Sequence, residues 1–332
     1  MTTCCLGRRE LLATAAAGVG VAVGAGDLSG ATLAAFTEAE STSSALDTGV
    51  WNTAPKRVTH TTSGALSTAT DSTTASYAVN GVDVVGPVEP GFDGSDYHIP
   101  IVDGDSTLVR VAADGTQTSF GLDATRTPRG TKSMLATAAW NGHPLSVYYP
   151  GDSASRIYRV EPGASATQVA QLSNGVKAVL GAGDVDGDGV AEFVFVDGSG
   201  TVRYIVPDTD STTRGVKSTG VSPGSNNNYG AGSPVDIGGY GVVVPAVNGS
   251  GGLGLLDADG WIEASLTAGS TAKKSPVFGC DFDDDGAVEI AFAGYADGHL
   301  QYLDDVGETN SLRDVTDSSG DPIAVDPTRG VR

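Results

Sequence analysis

The stretch Gly183-Asp-Val-Asp-Gly-Asp-Gly-Val-Ala-Glu-Phe-Val-Phe-Val-Asp-Gly-Ser-Gly-Thr-Val-Arg-Tyr-Ile-Val206 decides how the chain is read. It opens with acids at alternate positions, Asp184, Asp186 and Asp188. Glu192 then leads into the apolar run Glu192-Phe-Val-Phe-Val196, which predicts a strand. Asp197-Gly198 is a turn signal, Thr201-Val-Arg-Tyr-Ile-Val206 predicts a second strand, and Pro207-Asp208 ends it.

The same order recurs along the chain. His98–Val102, Leu145–Tyr149, Tyr240–Val244 and Glu289–Ala293 match the first strand. Thr107–Val111, Arg156–Val160, Gly252–Leu256 and His299–Leu303 match the second. Between the two stand Asp103-Gly104, Gly151-Asp152, Asn248-Gly249 and Asp297-Gly298. Asp-Gly and Asn-Gly are expected to supply the positive φ angles of two-residue hairpins. The turns that follow the second strand keep step: Gly115 to Gly163 is 48 residues, and Gly260 to Gly307 is 47. Five such units can be read between residues 83 and 315. Units of about 45–50 residues with several short strands each predict an all-β fold, a β-propeller. A sixth, composite blade is expected from residues 46–80 and 316–332, because pairing the two ends removes open sheet edges. The plan is a signal peptide at 1–35, a flexible linker at 36–45 and the propeller at 46–332.

Composition narrows the function. The 332 residues carry 40 Asp+Glu against 19 Lys+Arg, a formal net charge of -21. That excludes the basic footprint of a nucleic-acid binder and disfavours anionic lipid. With Lys at 6 and Arg at 13, the composition is similar to that of salt-loving archaeal proteins. High salt screens carboxylate repulsion, so the charge costs little stability there. An acidic secreted protein of an ordinary host is the other reading.

Arg8-Arg9 stands directly before a mildly apolar run, Leu11 to Ala25, with small residues at Ala25 and Ala34-Ala35 for cleavage. The pattern resembles a twin-arginine export signal, and the protein is expected to be secreted or at the cell surface. Membrane contact is expected only through this segment, were it left uncleaved. Cys4 and Cys5 would leave with the signal. Cys280 then has no internal disulfide partner, and bound metal becomes a candidate for stiffening the fold.

Two loops carry chemistry. Asp184, Asp186, Asp188 and Glu192 occupy positions 1, 3, 5 and 9 of the first, with Gly189 at 6. Asp281, Asp283, Asp285 and Glu289 repeat this 97 residues later, with Gly286 at 6. Alternate carboxylates on a tight loop converge on one point, and the carbonyl at position 7, Val190 or Ala287, can join them. That is a hard, oxygen-only donor set suited to Ca²⁺, so two calcium sites are expected. An EF-hand is excluded, since position 12 is Phe195 or Phe292, each inside a predicted strand. The stretches Gly183–Phe195 and Gly279–Phe292 resemble the calcium loops of FG-GAP/VCBS repeats, the blades of integrin-α-like propellers. The resemblance implies a calcium-stabilised propeller with the loops between successive strands of a blade. Only two of the five units carry full loops. Gly91-Phe-Asp-Gly-Ser-Asp96 is a weaker third candidate, while Trp140-Asn-Gly-His143 and Asp236–Tyr240 lack the carboxylates.

His60, His98, His143 and His299 have no paired spacing and are read as structural, as is Cys280. Asn248-Gly-Ser250 is a glycosylation acceptor sequence on a turn. Trp140, Tyr229, Trp261 and Tyr295 are read first as core and second as a binding face. These features favour a non-catalytic binding or adhesion module for an extracellular glycan or protein. The alternatives are a propeller enzyme acting on polysaccharide, as hydrolase or lyase, and a structural component of an envelope or matrix. The outstanding acids follow metal-loop spacing and no Gly-x-Ser-x-Gly motif is present, so enzyme activity is the less favoured reading.

Overall fold

A computed structural model describes residues 58–326, apart from 63–64, 70–73, 78, 80–81, 87–97, 104, 106, 113, 123–127, 129–134, 152–154, 208–214, 224–229 and 284. The signal, the linker, Tyr229 and the third candidate loop at Gly91–Asp96 lie outside the described residues. Every regular element among the described residues is a strand, and the strands form six antiparallel sheets in chain order. No helix among them is long and apolar enough to cross a membrane.

The first sheet has three strands, β1 (Val58–Thr62), β2 (Ala65–Ala69) and β3 (Thr74–Tyr77). The other five have four each. Blade two is β4 (Val82–Val85), β5 (His98–Asp103), β6 (Leu108–Ala112) and β7 (Gln117–Ser119). Blade three is β8 (Ala136–Trp140), β9 (His143–Pro150), β10 (Arg156–Val160) and β11 (Thr167–Gln171). Blade four is β12 (Val176–Gly183), β13 (Glu192–Asp197), β14 (Val202–Ile205) and β15 (Val216–Ser218). Blade five is β16 (Val235–Ile237), β17 (Gly241–Val247), β18 (Leu253–Asp257) and β19 (Gly260–Glu263). Blade six is β20 (Phe278–Cys280), β21 (Glu289–Ala293), β22 (Leu300–Asp304) and β23 (Ser311–Asp314). The five repeat units of the sequence are blades two to six, and the strand pairs read there are the middle strands of each.

Packing closes these sheets into a ring. All six residues of β13 and all five of β21 are buried, so those strands present apolar side chains on both faces. Each face then needs a neighbouring sheet, and six core clusters supply them. Leu66 meets Ile99 and Ile101 between sheets one and two. Val102 meets Val147 and Tyr149 between two and three. Tyr148 meets Phe193 between three and four, ring centroids 4.6 Å apart. Leu180 and Val194 meet Val244 and Leu256 between four and five, and Leu255 meets Phe292 between five and six. Ala69 of sheet one sits with Phe282 and Val325, which brings blade six back to the start.

The closing sheet differs from the composite expected. Among the described residues the tail bonds to blade six: Leu300 N–H donates to Ile323 O at 2.7 Å, Val325 N–H donates to Gly298 O at 2.8 Å, and His299 pairs with Ala324. The reason is geometric, since Val315 directly continues β23 and turns its follower back onto the same sheet through Ile323 N–H to Val315 O at 3.0 Å.

The middle hairpins also differ from the two-residue turns expected. In blade four, Asp197 Oδ1 accepts from Ser199 N–H at 2.8 Å and Thr201 N–H at 3.1 Å, and the positive φ, 91°, falls on Gly200. In blade five, Asn248 Oδ1 accepts from Ser250 and Gly252 N–H, both at 3.0 Å, and Gly251 has φ 94°. In these two blades the acid or amide caps a longer loop and the glycine that matters stands three residues after it, whereas in blade six the positive φ, 73°, falls on Gly298 of Asp297-Gly298 as expected. The two-residue, both-positive pattern occurs instead at Asn141-Gly142 (φ 53° and 74°), between β8 and β9. Asn248 also donates its Nδ2–H to Ala264 O at 2.8 Å, which leaves the other hydrogen of this nitrogen for a glycan to replace.

Asp197 is buried, and Arg203 Nε–H donates to its Oδ2. Burial works against its ionised form, but the bonds from Ser199 and Arg203 prevail and hold its carboxyl below the usual range. Asp197→Ala is expected to lower the unfolding free energy by about 2–3 kcal/mol. Asp197→Asn, which keeps the two N–H bonds as Asn248 does, should cost less than half of that. Denaturant melts of the two variants check the order, and equal losses would contradict the cap.

Candidate metal centre

Both acidic loops join the first and second strands of a blade. Gly183, the last residue of β12, pairs with Glu192, the first of β13. Cys280, the last of β20, pairs with Glu289, the first of β21. The position-9 acid is therefore pinned at a strand start by ladder bonds. Gly183 is small for a reason: a Cβ there would stand 2.6 Å from Pro234 Cβ and 2.8 Å from Val242 Cγ1 of blade five. From the other side, Trp140 of blade three donates its indole Nε1–H to Ala191 O at 2.9 Å and lies against Phe193. That confirms Trp140 as core and anchors the loop just before Glu192.

In blade four the carboxylates of Asp184, Asp186 and Glu192 each offer an oxygen within 4.8 Å of the others. Asp188 stays outside this group: it is exposed, and its Oδ1 accepts from Val190 N–H at 2.8 Å. Asp184 Oδ2 accepts from Gly189 N–H at 3.0 Å, and Lys217 Nζ lies 3.3 Å from Asp186 Oδ2. Glu192 is fully buried, and its Oε2 accepts from Val185 N–H at 3.0 Å. The remaining oxygens, Asp184 Oδ1, Asp186 Oδ1 and Glu192 Oε1, are buried with no hydrogen-bond donor among the described residues.

Blade six uses the same positions differently. Asp281, Asp283 and Asp285 form one group, and Asp283, Glu289 and Asp304 form another. Glu289 is fully buried, and its Oε2 accepts from Phe282 N–H. Ala287 enters through its N–H, which donates to Asp285 Oδ1 at 2.8 Å. Asp304 was not among the residues singled out from the sequence. It ends β22, one place beyond the Ile290–Leu303 pair, and so faces the start of β21. The signal was present as an acid directly after a predicted strand, but only strand register connects it to Glu289. The corresponding place in blade four is Val206, one beyond the Phe193–Ile205 pair.

Burial, with the charge of Asp186 added, pushes the Glu192 carboxyl up to about 7. Burial, with Asp283, Asp281 and Asp285 added, pushes Glu289 up to about 8. Buried carboxylates gathered with other carboxylates need a proton or a cation between them. The donor set is all oxygen, which selects a hard cation such as Ca²⁺. Cys280 is buried in the core beside this site, where burial raises its thiol, and among the described residues the ligand groups here contain carboxylates alone.

Beside the first cluster lies a cleft of ≈ 680 Å³ between blades four and five. Its walls include Asp186, Asp236, Asp259, Tyr204, Tyr240 and Lys217. Tyr295, read first as core, is exposed instead, and half-buried Lys273 sets its Nζ 4.6 Å from the ring centroid.

No protein-family model matches this sequence, and no curated protein matches it. Solved structures do. A fungal lectin from Aleuria aurantia, described as a six-bladed β-propeller with a novel fucose recognition mode, aligns over 80% of this chain and 96% of its own, with TM-score 0.50 and 16% identity. A point variant of the same lectin in complex with Fucα1-6GlcNAc aligns over 80% of this chain and 93% of its own, with TM-score 0.53 and 18% identity. The likeness establishes the fold: this chain is a β-propeller.

A carboxyl whose folded value stands above its unfolded value takes up a proton on folding, so stability rises as pH falls through the folded value. For Glu192 and Glu289 that window runs from about pH 8 down to about pH 5. In chelator, the melting temperature is expected to rise across it. With excess Ca²⁺ the rise should vanish, because the ion takes the proton's place. A chelated protein whose melting temperature is flat or falls across this window contradicts the buried-charge account.

Proposed function

We propose that this chain is an exported, calcium-tied β-propeller that binds a glycan or protein partner without catalysing a reaction. The observation that carries this reading is the pair of acidic loops, each ending in a fully buried Glu with one oxygen that meets no donor. Glu192 and Glu289 have the raised carboxyls that a general acid would need, but side chains with no exposed surface cannot reach a polysaccharide. They are placed to hold loops. A cation shared by Asp184, Asp186 and Glu192 would tie the two ends of the loop to one strand start, as in the FG-GAP/VCBS repeats that these loops resemble.

The glycan half of the reading rests on fold likeness to fucose-binding lectins and on the cleft beside the first loop. Tyr240, half-buried, offers ring surface there, and Asp236 and Asp259 offer acceptors for sugar hydroxyls. Export is supported by Arg8-Arg9 and the apolar run after them, and a saline environment by the charge of -21 with only 6 Lys.

Ca²⁺ at about 100 times its Kd stabilises a folded protein by about 2.7 kcal/mol per site, so EDTA is expected to lower the melting temperature by several degrees. Asp186→Ala and Asp283→Ala should each lose part of that gain, and the double variant most of it. A melting temperature indifferent to EDTA would rule the calcium reading out. On a glycan array that includes fucosylated chains, binding to at least one glycan that disappears with EDTA is expected. An array blank with and without calcium would refute the glycan reading.

A further inference from the structure

We infer that blade six holds two divalent cations, bridged by Asp283, where blade four holds one. This rests on the calcium reading of the loops and goes beyond it, adding a second ion site and a ligand, Asp304, that the loop motif does not contain. The geometry divides the blade-six acids. Oxygens on a single Ca²⁺ at about 2.4 Å can stand no more than about 5 Å apart. In blade four the acids at positions 1, 3 and 9 satisfy that together. In blade six they do not. Positions 1, 3 and 5 form one group, while position 9 groups with position 3 and with Asp304 from the neighbouring strand. Asp283 is common to both.

The second group has independent signs of a ligand. Glu289 Oε1 and Asp304 Oδ1 belong to side chains with almost no exposed surface, and neither meets a hydrogen-bond donor among the described residues. Asp283 Oδ1 is likewise buried and without a donor among the described residues, its carboxyl lying against that of Asp304. The other oxygens are committed: Glu289 Oε2 to Phe282 N–H, and Asp304 Oδ2 to Arg313 at 2.6 Å. One group thus gathers three acids that each carry a buried oxygen without a donor. Charge points the same way. The second group holds three carboxylates, and among the described residues Arg313 pairs with one of them, leaving two negative charges that one divalent ion balances. Blade four has Val206 where Asp304 stands, and so brings no acid to Glu192 from that strand position.

Equilibrium dialysis of the full chain against labelled Ca²⁺ tests this by counting ions. The wild type is expected to take up three per chain at saturation. Asp186→Ala should take up two, and Asp304→Asn, which keeps the side-chain volume, should lose at least one. A wild-type count of two or fewer overturns the inference, as does an Asp304→Asn variant that retains three. A count of zero would overturn the calcium reading of the loops as well, so the two failures are separable. If Asp304→Asn does not fold, as judged by circular dichroism, calcium anomalous scattering from wild-type crystals decides. Two peaks flanking Asp283 support the pair, and a single peak refutes it.

Discussion

A sheet that is apolar on both faces has no surface to turn to water, and that constraint shapes this molecule. Phe193, Phe195, Ile290 and Phe292 are buried on central strands whose every residue is buried. Such a sheet must be packed on both sides, and so must each sheet laid against it. The series ends only by returning to its start, which the cluster of Ala69 with Phe278, Phe282 and Val325 accomplishes. Burial on this scale contributes about 25 cal/mol per Å² of apolar surface and dominates the stability of the ring. Apart from Val185 and Phe282, the acidic hairpin loops carry little of it, so their other positions are free to hold chemistry.

The acidic loops use that freedom under a second constraint. Glu192 and Glu289 begin central strands, so the ring that buries Phe193 and Ile290 buries their carboxylates too. Burying a charge is costly unless something of opposite sign accompanies it. One oxygen of each is met by a backbone N–H, of Val185 or Phe282, which fixes the orientation and leaves the other oxygen aimed at neighbouring aspartates. The same ring closure that makes the fold therefore creates the demand for a proton or a cation at these two places. Where no acid is present, as at Asn141-Gly142 between β8 and β9, a two-residue turn does the connecting without one.

The central strands were legible in the sequence because two buried faces make an unbroken apolar run, as in Glu192–Val196. The outermost strands were not. Gln117–Ser119 and Val216–Ser218 are three residues long and exposed throughout, so burial leaves no pattern on them. The hairpin loops were recognised as turns, with the right glycine at Asp297-Gly298 in blade six but the wrong one in blades four and five, since Asp197 and Asn248 act through side-chain acceptors and the positive φ falls on Gly200 and Gly251. Spacing alone picked out the loop acids. It could not pick out Asp304, which reaches Glu289 across a strand pair, nor show that Asp188 turns outward to Val190.

The central claim is that cations, by satisfying Glu192 and Glu289, lock the first hairpins of blades four and six. Amide hydrogen exchange across residues 184–192 and 281–289, with Ca²⁺ and with chelator, measures this most directly. The amides of Val185 and Phe282, which bond to those two carboxylates, should be strongly protected with Ca²⁺ and should exchange faster by at least tenfold without it, while the amides of Val147 and Leu255 hold steady. Equal protection in both conditions would contradict the account.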